Sequence, residues 1–231
     1  MGTGMRIITR ILRRHREVGG ELGCFGLGSW WLSTFSAAQR QHMEAVFQSP
    51  EMPVRARPLT RDRGLLPVQT AAGLLILLAD KLGNRPQDRS LACCVLAKAE
   101  ERALAGNDLL GLHSTYHQMI RIHLRWKGEF RDASDLAFGA CHKQMQLSSQ
   151  VAGIFRQRYP DRPLPVHLGY LHAASILEQQ GGFSRAIEIC RQAEAEGWSG
   201  DWSWRIQRMA RRLHEQTPQM RPISHSGMGP V

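Results

Sequence analysis

Apolar side chains return every three to four residues through most of this chain, the spacing that puts them on one face of an α-helix. From Leu65 onward the pattern predicts helices over Leu66–Leu82, Ser90–Ala105, a third capped by Asp108 and running to Trp126, then Phe130–Met145, Val166–Gln180, Ser184–Glu196 and Trp202–Gln216. A partly helical insert ended by prolines, "SSQVAGIFRQRYPDRPLP", lies between the fourth and fifth. Glycines at 83, 106 and 181–182 stand where these patterns stop, as expected for residues that end helices. No segment shows the period-two alternation of a half-buried strand, so the expected fold class is all-α.

The first 64 residues are less regular. Ile7, Ile8, Ile11 and Leu12 alternate with arginines in "MRIITRILRRHREVGG", a short basic amphipathic helix ended by Gly19-Gly20. "GCFGLGSWWLSTF" is rich in glycine and aromatics and reads as an irregular packed segment. Ser36 followed by Gln39 makes a capping box for a helix through Phe47. Three prolines make "QSPEMPVRARPLTRDRG" a loop. Four regions follow: 1–20, a basic amphipathic segment; 21–64, a Gly/Trp-rich segment with a short helix and a Pro/Arg loop; 65–216, a helical domain; and 217–231, a disordered tail.

Small residues change this picture from a set of helices to a set of helix pairs. In "LGYLHAASILEQQGGFSRAIEICRQAEAEG", Tyr170, Ala173, Ala174 and Leu177 form one stripe, and Phe183, Ala186, Cys190 and Ala193 form the next. Two antiparallel helices approach closely where facing residues are small, which places Ala174 and Ala186 at a crossing. This spacing resembles a tetratricopeptide (TPR) repeat, with Gly181 at the turn. Ile120, Leu124, Gly128, Phe130, Ala133 and Ala140 repeat the pattern upstream, except that Arg121 stands in the slot for a small residue. Ala92 and Ala99 keep the seven-residue interval behind an overlong turn. The expectation is a short α-solenoid of degenerate TPR-like helix-turn-helix repeats. Its C-terminal capping helix would bury Trp202, Ile206, Met209 and Leu213, and turn Arg205, Arg208, Arg211 and Arg212 to solvent.

The order of "GLGSWWLSTFSAAQRQHMEAVF", "LACCVLAKAEERA", "NDLLGLHSTYHQMIRIHLRWKGEFRDA", "YPDRPLPVHLGY" and "ILEQQGGFSRAIEICRQAEAEGWSGDWSWRI" resembles a bacterial group of uncharacterised TPR-like proteins. Trp30-Trp31 and the run Gly197–Trp202 are its most distinctive parts. The resemblance implies the helical-repeat fold and brings no catalytic residue.

Composition narrows the function classes. The 231 residues are 42% hydrophobic, enough for a core. The longest apolar run, Ala71–Ala79, is far short of the roughly 20 residues of a membrane span. No secretory signal is visible and the five cysteines are odd in number, which points to the cytoplasm. The net charge of +10, from 30 basic and 20 acidic side chains, admits an anionic partner. The two densest basic clusters are residues 6–16 and 55–63, and neither is interleaved with aromatics.

Candidate chemistry is sparse. His113 and His117 share a helix face but lack the glutamate of a zinc protease motif. Glu100-Glu101 and Glu194/Glu196 read as solvated faces. No phosphate-binding or nucleophile-elbow glycine pattern is present, so no catalytic, cofactor or metal residue is assigned. The expected activity is non-enzymatic binding of a protein or peptide along the first helix of each pair. Its lining would be Gln118, Ile122 and Arg125 in one pair and Leu168, Leu171, Ser175 and Glu178 in the next. Nucleic acid, held by the arginine surface, is the alternative partner.

Overall fold

A computed structural model describes residues 18–48, 52–53 and 55–216. The expected basic helix at 5–16 and the expected disordered tail lie outside these residues. Among the described residues there are eleven α-helices and two very short strands, so the all-α expectation holds in its coarse form. The chain divides into two compact units, Met1–Ile154 and Phe155–Val231.

In the first unit, α1 (Gly20–Cys24) and α2 (Gly28–Thr34) occupy the stretch expected to be irregular. The overlooked signal is Leu27, Trp31 and Phe35, four residues apart and all buried, with the Trp31 amide donating to the Leu27 carbonyl at 2.9 Å. Trp30 and Trp31 meet Phe35 edge-on at 5.2 and 5.4 Å. α3 (Ala37–Phe47) begins with the expected capping box: the Gln39 amide donates to Ser36 Oγ, and Gln39 Oε1 accepts from the Ser36 amide.

α4 (Ala71–Leu82) starts five residues later than expected, because Thr70 Oγ1 takes the Gly73 amide at 3.0 Å and sets the start there. A single 3-10 turn, Pro86–Asp88, leads into α5 (Arg89–Ala105). α6 (Leu109–Arg125) is capped by Asp108, whose Oδ1 accepts from the Gly111 amide at 2.8 Å. α7 is Ala133–Gln146. α4 packs on α5, α5 on α6, α6 on α7, and α6 also touches α4. Leu74, Leu75, Leu78 and Leu82 of α4, Val95 and Leu96 of α5, and Ile122 of α6 join Trp31, Met43 and Phe47 in one core. α8 (Ser148–Arg158) is the helical part of the insert.

The second unit contains a feature with no counterpart in the helical pattern. β1 (Leu164–Val166) and β2 (Trp198–Ser199) pair in parallel. Strands of three and two residues are too short to show an alternation. Between them, α9 (Leu168–Gln179) and α10 (Phe183–Ala195) form a helix pair joined at Gly181, whose φ of +78° is the left-handed value that glycine adopts without a Cβ clash. Both small-residue stripes are buried as expected, with Ala173, Ala186, Cys190 and Ala193 fully enclosed. α11 (Trp202–Gln216) packs on α10 and buries Trp202 and Met209.

Candidate functional site

Gln118, Ile122 and Arg125 were expected along one exposed stripe of α6. The structure turns that stripe toward α4. Gln118 is buried, and its Nε2 donates to Asp80 Oδ1 at 2.8 Å. Ile122 is 1% exposed and belongs to the core. It lies so close to Gly83 that a Cβ there would sit 2.6 Å from Ile122 Cδ1. These two residues therefore join helices and do not line an open face. Arg125 remains exposed but caps α4: its Nη1 donates to the Gly83 carbonyl at 3.0 Å, beside the Trp126 indole at the same distance. A cation and two donors at a helix C-terminus satisfy carbonyls that have no partner within the helix.

Arg121 is the outward residue that the repeat pattern treated as misplaced. Its guanidinium pairs with Asp80 at 3.3 Å and donates to Gln118 Oε1 at 3.1 Å. With its side chain 43% exposed, it sits on a polar strip with Asp80, Asn84 and Arg125. The signal was there in sequence: a long charged side chain in a slot for a small one means that the helix has rotated.

On α9, Leu168, Leu171, Ser175 and Glu178 are each half-buried. α11 covers the last two. Arg205 Nη1 donates to Ser175 Oγ at 3.1 Å, while Arg208 and Arg212 both pair with Glu178. The expectation that all four α11 arginines face water is thus corrected. Arg208 turns inward because Glu178, with its side chain 11% exposed, offers it a carboxylate, and Arg205 is held between Asp201 at 2.8 Å and the Ser175 hydroxyl. Arg208 also lies 4.4 Å over the Trp204 ring.

Of the carboxylates expected on solvated faces, Glu101 and Glu194 are exposed, whereas Glu100 and Glu196 are half-buried and tied down. Glu100 accepts from Tyr116 Oη at 2.9 Å and pairs with Lys143 at 2.8 Å, linking α5 to α6 and α7. Glu196 accepts from Tyr170 Oη and Trp198 Nε1, each at 2.9 Å. These are positioning contacts in which a single carboxylate satisfies two donors.

Burial shifts the titration of two histidines and three thiols. His113 is pushed down to about 4, by burial first and by His117 second. His123 is lowered by burial and then by Arg89. Burial raises Cys93 and Cys94, and takes Cys190 up to about 11, which keeps these thiols protonated at neutral pH. Among the described residues, no group of three His, Cys, Asp or Glu side chains could hold a metal ion. A groove of about 410 Å³ opens beside Cys24, Phe25, Thr70, Arg102 and Asp108. Its polar groups already serve as caps: Arg102 holds the Phe25 carbonyl, Thr70 the Gly73 amide and Asp108 the Gly111 amide. They do not converge on a small ligand. No helix among the described residues is long and apolar enough to cross a membrane.

Set beside protein-family models, curated proteins and solved structures, the chain matches none of them.

Proposed function

We propose that this chain is a non-enzymatic protein-binding module, a short array of TPR-like helix pairs that receives a peptide or a partner helix. One observation carries this reading. α6 packs against both members of the preceding pair, α4 and α5, as the first helix of a stacked repeat does. Such stacking leaves one side of the first helices open. In the first unit that side carries Arg121, Asp80 and Arg125. A charged strip of this kind suits a peptide with acidic positions. Five free thiols suit the reducing cytoplasm, which belongs to the same reading.

A displayed peptide library selected on the full chain tests it. Enriched peptides should bind about tenfold more weakly to Arg121→Glu, the loss of one charged anchor. Peptides that bind Arg121→Glu unchanged, or no enrichment at all, would remove the proposal. Nucleic-acid binding by the arginine surface as a whole is less well supported. Arg89, Arg121, Arg205, Arg208 and Arg212 each have a carboxylate partner within the fold.

A further inference from the structure

Among the described residues, Tyr159 and Trp204 are the two most exposed aromatic side chains, at 43% and 52%. Both belong to the second unit, and each lies under an arginine. The Arg162 guanidinium stands 5.7 Å over the Tyr159 ring, and that of Arg208 stands 4.4 Å over the Trp204 ring. One exposed apolar residue is ordinary on a protein surface. Two exposed rings in one unit, each paired with a guanidinium, share a chemistry.

Local geometry explains why neither ring is buried. Trp202 turns inward against α10, and two residues further along a helix is about 200° around it, so Trp204 faces away. Arg208 is pinned in turn by Glu178, which fixes the guanidinium against the indole. Tyr159 follows the last residue of α8. The Arg162 amide donates to the Tyr159 carbonyl at 3.1 Å, a turn that carries Arg162 back over the ring. Both rings stand around the turn that joins α10 to α11. Tyr159 lies 6.4 Å from Phe155, which meets Trp198 edge-on at 6.2 Å, and the Trp198 carbonyl accepts from the Trp202 indole at 2.7 Å. Arg156 donates to the Glu196 carbonyl at the same turn. Arg158, Arg162 and Arg211 are exposed, and among the described residues none of the three has a carboxylate partner.

We propose that Tyr159 and Trp204 stack the bases of a single-stranded nucleic acid whose phosphates meet Arg158 and Arg211. A base needs only a flat π-face to stack on, and unpaired arginines beside it hold the backbone. A peptide anchor needs a pocket. The residues beside these rings, Pro160, Asp161, Ser203 and Gln207, are all exposed, so the rings are platforms and not walls. A bilayer calls for an apolar helix face. α11 has buried Trp202 and Met209 of its own apolar stripe, which leaves Trp204 as its one exposed large apolar side chain. This surface does not depend on the peptide-binding reading, whose test uses Arg121 in the first unit.

The test is fluorescence anisotropy of the full chain with a labelled oligothymidylate of about 12 nucleotides, and with a duplex of the same length. The single strand should bind more tightly, because the bases of a duplex are already stacked on one another. Trp204→Ala and Tyr159→Ala should each weaken it by about fivefold to a hundredfold, the range for one lost stack. Trp204→Phe keeps a flat ring and should recover most of that loss. Arg158→Gln/Arg211→Gln should make log affinity less steep against log salt by about 1.4, since each single-strand phosphate contact contributes about 0.7. Thermal midpoints check that the variants fold, and if one alanine variant is unstable the other carries the test. Arg185→Gln, exposed on α10, should leave binding unchanged. The proposal is overturned by a chain that does not bind the oligonucleotide, by a duplex bound as tightly as the single strand, by unchanged affinity in a folded alanine variant, or by an equal loss in Arg185→Gln. It is overturned as well if the alanine variants lose phosphatidylserine vesicles or library-selected peptides while keeping the oligonucleotide.

Discussion

Ala186 shows how much a single side chain decides here. It is fully buried where α10 meets α9, opposite the stripe that contains Ala173 and Ala174. A packed interior has no room for extra methylenes, so Ala186→Leu should cost about 1–3 kcal/mol, read as a lower urea midpoint with an unchanged slope. An unaltered midpoint would mean that the helices separate easily at this point. Gly83 has the same role between α4 and α6, where the missing Cβ admits Ile122. Close approach in this protein is set by what the small residues lack.

At the scale of elements, α11 combines an apolar stripe with a charged seam. Trp202 and Met209 face α10, and Arg205, Arg208 and Arg212 reach Ser175 and Glu178 on α9. Glu178 is the shared acceptor, so Glu178→Gln removes the charge that two arginines meet while preserving the shape. Hydrogen bonds to charged groups contribute roughly 1.5–3 kcal/mol when enclosed, less when one partner is open to water. Amide exchange across Trp202–Leu213 should therefore accelerate several-fold in that variant. Unchanged exchange would show that the apolar stripe holds α11 without the seam.

For the molecule as a whole, buried histidines make stability depend on pH. His113 titrates near 4 in the fold, against an ordinary value of 6.5. Between those values the unfolded chain binds a proton that the native chain does not, so protonation favours unfolding there. His123 is shifted in the same direction, by burial and Arg89. The thermal midpoint should hold above about pH 6.5 and fall as the pH drops toward 4. His113→Gln should flatten that fall. A midpoint that is level through the window would show that His113 is protonated without cost in the native state.

The helices themselves were legible in the chain. Their period, the Ser36–Gln39 box, the Asp108 cap and the Gly181 turn depend on residues within about four positions of one another. The buried stripes of α9 and α10 were legible too, because small residues at helical spacing leave few other ways to pack. What only the tertiary structure decided is the rotation of each helix about its own axis. Successive residues on a helix are about 100° apart, and an apolar stripe is about as wide, so the period of α6 alone left open whether Ile122 joins Ile120 in the core or lines an open face. The same holds for Glu178 and Glu196, whose partners lie up to 34 and 26 residues away. It holds most of all for the meeting of residues 19–22 with 58–61, since backbone hydrogen bonds between distant segments leave no trace in the local order of side chains.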